Sequence, residues 1–300
     1  MKPLDFAAAL AVILIWAMNF IVGKVAVGQI PPNLLLAVRF ALVAVLLLPF
    51  LRPPGKSWWL ILAMSVVLGG LHFGLLFSGL RGVEAGLAAI AIQLSVPFSL
   101  LLATIVYRER ASVLQYVGIV VAFVGVYLLG GDPATVPSVI HLVMVVASAF
   151  AWAVANMIIK RIGDINVFVL NAWFAVFVLP QFAIASALFE HGQLQALENA
   201  DWRAWGGIVF MAVAASITAY GLWYYLIRKY EVNRVVPLML LAPVLAVFLA
   251  ALLLDEPLTV RILFGGLVTL SGVAMIHVFR PSPPSPPPDP PPAPSQAPVV

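Results

Sequence analysis

Ten apolar runs separated by short polar links fill all but the last twenty residues of the chain. They cover Leu4–Val22, Leu34–Leu51, Trp58–Phe77, Ala85–Tyr107, Val113–Leu129, Val139–Ile159, Val167–Phe189, Trp205–Ile227, Val232–Leu254 and Ile262–Phe279. A spanning helix needs about 20 apolar residues, so the pattern predicts ten transmembrane helices and an all-α membrane protein. The links carry turn formers or charge, as in Gln29-Ile-Pro-Pro-Asn33, Arg52-Pro-Pro-Gly-Lys56 and Gly130-Gly-Asp-Pro133. They leave no room for a folded domain outside the membrane. The longest, residues 190–203, has space for a short interfacial helix with Trp202 and Trp205 at the headgroups. The first run is long enough to span and lacks a small-residue cleavage site after it, so it is expected to stay as the first helix.

The polar interruptions repeat. Trp16-Ala-Met-Asn19-Phe-Ile-Val-Gly-Lys24 is echoed by Trp152-Ala-Val-Ala-Asn156-Met-Ile-Ile-Lys160, with Trp and Lys eight residues apart in both. Arg81-Gly-Val-Glu84 matches Arg228-Lys-Tyr-Glu231, Pro97 matches Pro243, and Glu109 matches Glu256. Nine and sixteen residues beyond those glutamates lie Gly118 and Gly125, then Gly265 and Gly272. Two related halves of five helices each are predicted, residues 1–131 and 132–280. Five is odd, so the halves enter the membrane in opposite senses, an inverted repeat of the kind transporters use for alternating access around a midplane site. Pro97 and Pro243 each remove a helical hydrogen bond and are read as hinge or cavity-lining positions. The glycines are read as close helix contacts.

Composition agrees with a lipid-facing surface. The chain is 63% hydrophobic and 9% charged, with mean hydropathy +1.09, whereas soluble domains carry about 25% charged residues. The pI near 9.5 comes from basic residues scattered between apolar runs, which argues against a nucleic-acid partner and for a lipid bilayer. With no cysteine, a disulfide framework and thiol chemistry are excluded. Eleven Lys and Arg residues fall on one side of the predicted helices and four on the other, which places both termini in the cytoplasm. Residues 281–300 hold 11 of the 24 prolines and are expected to be a disordered cytoplasmic tail.

Candidate chemistry is sparse. Asn19 and Asn156 are amides inside apolar helices that either bond a neighbouring helix or face a cargo path, with Trp16 and Trp152 a turn away. His72, Gln93, Ser95, Tyr220 and Trp223 are further mid-helix candidates. His72 is the one midmembrane group that titrates near neutrality. It either couples a proton, the candidate coupling ion, or is a neutral, hydrogen-bonded core histidine. Lys24, Arg39 and Glu84 near the outer end, and Lys160, Arg228 and Glu231 near the inner end, are read as gate ion pairs or as interfacial anchors. No catalytic set, metal cluster or cofactor motif is present in the sequence.

Trp16-Ala-Met-Asn-Phe, Arg39-Phe40, Pro97 followed by Arg108-Glu109, and Pro243 followed by Leu254-Asp-Glu-Pro-Leu258 resemble EamA-type members of the drug/metabolite transporter superfamily over residues 4–280. Pro31-Pro32, Tyr220-Gly-x-Trp223, Tyr230-Glu231 and Arg234-Val-x-Pro237-Leu are most similar to O-acetylserine/cysteine exporters within it. The resemblance implies a ten-helix fold and a central cavity at Trp16, Asn19, His72, Gln93, Trp152, Asn156, Tyr220 and Trp223. It also implies export of a small-molecule substrate, an amino acid or derivative such as cysteine or O-acetylserine, from the inner membrane. A broad-range exporter of toxic or aromatic compounds is the alternative, and a membrane enzyme or receptor without net flux a more distant one. Monomer and homodimer both stay open.

Overall fold

In the computed structural model, residues 1–130, 139–163, 165–230 and 235–279 are described. Every regular element among them is helical. Seven helices are long and apolar enough to cross a membrane: α1 (Pro3–Val27), α3 (Gly55–Leu80), α4 (Ala85–Val106), α6 (Val139–Ile162), α7 (Val167–Phe189), α8 (Trp202–Lys229) and α10 (Val260–Val278). Three apolar helices are shorter: α2 (Pro32–Leu46), α5 (Val113–Leu129) and α9 (Leu238–Leu254). The predicted interfacial helix is Gln193–Asn199. The proline-rich tail and the gate candidate Glu231 lie outside the described residues.

Polar side chains set the helix starts. Ser112 forms a capping box with Gln115 at the start of α5, and Thr259 accepts from the Ile262 amide at the start of α10. Such caps satisfy amides that have no partner in the helix. The same region of α5 then reaches across to α10. Ser112 Oγ donates to the Phe279 carbonyl (2.8 Å) and Gln115 Nε2 to the Ile276 carbonyl (3.0 Å). In return Arg261 Nε, at the start of α10, donates to the Leu128 carbonyl near the end of α5 (2.6 Å). The two helices are therefore antiparallel, and each start satisfies carbonyls at the other's end. Gly118 and Gly125 of α5 face Gly272, Thr269 and Gly265 of α10 at backbone contact, as the spacing predicts. Their outer faces expose Val120, Tyr127, Phe264 and Leu267, apolar surface suited to lipid rather than water.

The remaining helices pack around the interior. α2 lies on α7; α1 packs against α8, α9 and α4; α6 packs against α3 and α4. Two of them change pitch midway. Ser65–Phe73 of α3 and Met211–Ala219 of α8 are π-helical. The wider turns carry hydroxyl groups bonded five residues back, as Ser216 Oγ does to the Met211 carbonyl (2.9 Å). Such bulges recur at functional sites. α4 instead tightens to a 3-10 turn at Ile92–Leu94, and Val236–Leu240 leads into α9 in the same form. The cause is the prolines: Pro97 cannot donate to Gln93, nor Pro243 to Met239, and in each case that acceptor residue lies in the 3-10 turn.

Outside the bundle, Gln29 and Asp201 clasp the link after α1 to the start of α8. Gln29 Nε2 donates to Asp201 Oδ1 and the Asp201 amide to Gln29 Oε1, both at 2.9 Å. The Gln29 bond, with the Ala204 and Arg203 amides, lowers the Asp201 pKa below its ordinary value. A lowered carboxyl contributes stability above its unfolded value and loses it as pH falls through the folded one. Gln29→Ala is therefore expected to lower the melting temperature by a few degrees at neutral pH, with the difference narrowing as Asp201 is protonated but not closing, because the bond from the Asp201 amide to Gln29 Oε1 does not titrate. Melting curves of purified protein across pH 3 to 7 check this, and a difference independent of pH would reject it.

Candidate functional site

The helix irregularities converge on one cavity of about 400 Å³ enclosed by α1, α2, α3, α4, α6, α8 and the start of α9. Trp16, Asn19, His72, Gln93, Trp152, Asn156, Tyr220 and Trp223 all line it. Sequence reasoning brought these eight together from five helices, and Ser95 joins them. Pro243 also lines the cavity, whereas Pro97 does not; Gln93 and Met239, the acceptors the two prolines leave free, both do. A second cavity of about 220 Å³ shares Trp16, Phe73, Trp152, Asn156, Tyr220 and Trp223, and adds Asn171, Ser216 and Tyr224.

Seven of the nineteen residues lining the larger cavity carry aromatic rings. Trp16 meets Tyr220 edge-on at 5.7 Å between centroids and Trp223 at 5.6 Å. Trp152 lies 4.9 Å from the His72 ring. His72 is buried, with Nδ1 3.0 Å from the Ser148 carbonyl. Nδ1 also lies 3.2 Å from the Ser148 hydroxyl, so it either donates to the carbonyl or accepts from Oγ, and Nε2 takes the complementary role. Asn19 Oδ1 is buried with no hydrogen-bond donor among the described residues. Aspartate and glutamate are absent from the lining of both cavities among the described residues.

The end-of-helix charges bond backbone groups as well as one another. Lys24 Nζ donates to the Leu80 and Val83 carbonyls, both at 2.7 Å, across the corner between α3 and α4. Glu256, at the end of α9, takes the Ala85 amide (2.6 Å) on Oε1 and the Gly86 amide (3.0 Å) on Oε2, capping the start of α4. Glu84 adjoins this corner as the residue before α4. Arg39 is not at this end: it lines the larger cavity, 2% exposed, and donates to Ser216 Oγ at 2.9 Å. At the face where α1 begins, Lys160 Nζ is 3.8 Å from Glu109, both side chains more than half exposed at 66% and 55%. Arg228 lines a surface groove beside the start of α7.

One cluster had no sequence signal. Asp5, 3% exposed, accepts from Tyr225 (3.0 Å) and Tyr230 (2.6 Å) and pairs with Lys229 at 2.9 Å. It ties the start of α1 to the end of α8 over 220 residues of sequence. Arg39 could have been found: a charge within an apolar helix is costly enough to mark an interior site by default.

A bundle of apolar helices around a central cavity bordered by aromatic rings defines a multi-pass membrane protein. The chain matches the EamA-like transporter family over residues 5–131 and 139–278, and it belongs to that family. It is 33% identical over 288 residues to a probable amino-acid metabolite efflux pump of Escherichia coli K12, covering 93% of this chain and 96% of that protein. It is equally 33% identical, over 291 residues and the same shares of each chain, to a probable amino-acid metabolite efflux pump of Salmonella typhimurium LT2. A solved crystal structure with 19% identity superposes with a TM-score of 0.61 over 92% of this chain and 96% of that one, a likeness of fold.

Proposed function

We propose that the protein is a secondary exporter of small amino acid derivatives, cysteine and O-acetylserine among them, working by alternating access in a bacterial inner membrane with both termini in the cytoplasm. The observation that carries this is the single cavity that gathers the predicted site residues from five helices. Its size and mostly apolar wall with few polar groups suit a small metabolite. The two efflux-pump relatives support the cargo class. Trp16, Trp152 and Trp223 shape the pocket, while Asn19, Gln93 and Tyr220 offer hydrogen bonds to the cargo.

Two inverted five-helix repeats, α1–α5 and α6–α10, account for the packing. Exchanging each helix for its counterpart five places on turns the α1–α9 contact into the α6–α4 contact, and the α1–α8 contact into the α6–α3 contact. The α2–α7 and α5–α10 pairs map onto themselves. The π-helical segments fall in counterpart helices, α3 and α8, as do the prolines in α4 and α9. The same exchange takes Lys24 and Glu256 to Lys160 and Glu109. The first two grip the α3–α4 corner, and among the described residues their counterparts meet each other at 3.8 Å, with Lys160 also 4.7 Å from the Tyr107 ring centroid. The grip on the α3–α4 corner is read as closure of the outer side.

Cells fed a cysteine precursor test the reading. Those carrying the protein are expected to release thiol and O-acetylserine several-fold faster than cells without it, and Asn19→Ala to reduce release to the background. Equal release from all three strains rejects the cargo. The aromatic wall favours a second reading, a broad exporter of aromatic or toxic compounds. Competition by unrelated hydrophobic cations would support it, although Arg39 in the same wall repels them.

A further inference from the structure

Among the described residues, Arg39 is the one side chain lining the larger cavity that carries a fixed charge. Its setting is incomplete. Nη2 donates to Ser216 Oγ at 2.9 Å, but Nε and Nη1 are buried and meet no acceptor among the described residues. Three rings surround it instead, with the guanidinium carbon 4.9 Å from the Phe73 centroid, 5.3 Å from Phe40 and 5.7 Å from Phe77. Ring faces stabilise a cation only partly. They hold the guanidinium in place without filling its donors. A buried charge without a counter-ion is costly, and among the described residues the cavity lining supplies no carboxylate. That leaves room for an anion brought in from outside as its partner.

We propose that Arg39 is the anion anchor of the cavity and that the cargo it selects presents a carboxylate to it. The rest of the wall matches the other end of a zwitterion. His72 contacts Phe73 at 4.9 Å, so it and Arg39 flank the same ring. The unpartnered Asn19 Oδ1 is an acceptor suited to an ammonium group, and the His72 ring lies in the same wall. The cavity thus pairs an unfilled cationic donor with an unfilled neutral acceptor, complementary to an α-amino acid and poorly suited to a neutral or cationic drug. Arginine suits this role better than lysine because its planar fork offers several donors to a carboxylate and stays charged when buried. The inference rests on the transport reading for the claim that the anion is cargo.

Binding and flux are measured separately. Purified protein in nanodiscs is titrated with a panel of L-amino acids, O-acetyl-L-serine included, each against its own carboxamide. The wild type is expected to bind at least one acid about tenfold or more tighter than its amide, the scale of a charge-assisted hydrogen bond. In Arg39→Gln that preference disappears while amide binding is retained or tightens, since the amide is a cation that the arginine repels, and the retained binding also shows that the variant is folded. If Arg39→Gln does not fold, Arg39→Lys takes its place, with acid binding several-fold weaker and the amide unchanged. Equal binding of acid and amide by the wild type, no binding of any acid, or an undiminished preference in the variant overturns the anchor. Acid binding that needs Arg39 but is never accompanied by flux would overturn the transport reading instead. Flux unaffected by Arg39→Gln overturns the anchor and leaves transport standing.

Discussion

Gly272→Leu is expected to leave almost no folded protein after detergent extraction, and Gly272→Ala to lower the melting temperature by several degrees. A Cβ at Gly272 would sit 2.4 Å from the Ala122 amide nitrogen and 2.6 Å from the Gly118 carbonyl oxygen. Both are backbone atoms of a facing helix, so no rotamer change relieves the contact. α5 and α10 would have to separate, and with them the terminal bonds from Ser112, Gln115 and Arg261. Overpacking a well-fitted interior costs about 1–3 kcal/mol and occasionally more, against a total stability of about 5–15 kcal/mol. Leucine adds further atoms to the same clash. Gly206 is the control, since a Cβ there meets nothing within 4 Å, and Gly206→Ala should behave as wild type. Size-exclusion profiles and melting curves of the three variants check this. A Gly272→Ala protein melting within a degree of wild type would mean that the two helices are free to move apart.

These glycines could be read from the sequence because their spacing records a contact between two straight helices. The apolar runs, and polar candidates such as Asn19, His72 and Gln93 taken singly, were legible for a similar reason: hydrophobic length and isolated polar side chains in lipid are strong local constraints. Their grouping in one cavity came from the family resemblance. The π-helical turns of α3 and α8 left no such trace, because one extra residue per turn hardly changes the hydropathy of an apolar run. They nevertheless put His72 and Ser216 where they are. Lys24 looked like half of an ion pair, since charge invites a search for opposite charge. In the fold it satisfies the carbonyls at the end of a helix, which every helix end leaves free and which no side-chain pattern reveals. Asp5 shows the limit most plainly. Its partners Tyr225, Tyr230 and Lys229 lie at the far end of another helix, and only the tertiary fold brings them within reach.

The second large effect belongs to Glu256. Its carboxylate holds the first two amides of α4, and Gly86 lies close enough that a Cβ there would be 3.2 Å from the Val247 Cα on α9. If this grip closes one side of the cavity, weakening it should open that side. Glutamine keeps the size but removes the charge and one acceptor, leaving one amide unsatisfied, at a cost of about 1–3 kcal/mol. That is enough to shift a two-state balance by about tenfold or more. Because the chain has no cysteine, Ala89→Cys on the cavity wall near this end gives a clean reporter. In that background Glu256→Gln is expected to raise labelling by a membrane-impermeant thiol reagent from outside the cell about tenfold, and to cut export by a similar factor. Lys24→Met should act in the same direction, since Lys24 grips the other side of the same corner. Glu109→Gln provides the contrast. Among the described residues its carboxylate meets only Lys160, in an exposed contact, so external labelling should stay level or fall, while export still drops if Glu109 takes up the equivalent grip on the opposite side of the cycle. Equal labelling in Glu256→Gln and wild type would reject the gate. Export untouched by Glu109→Gln would reject the symmetry between the two ends, and with it the exchange of one grip for the other as the step that carries cargo across.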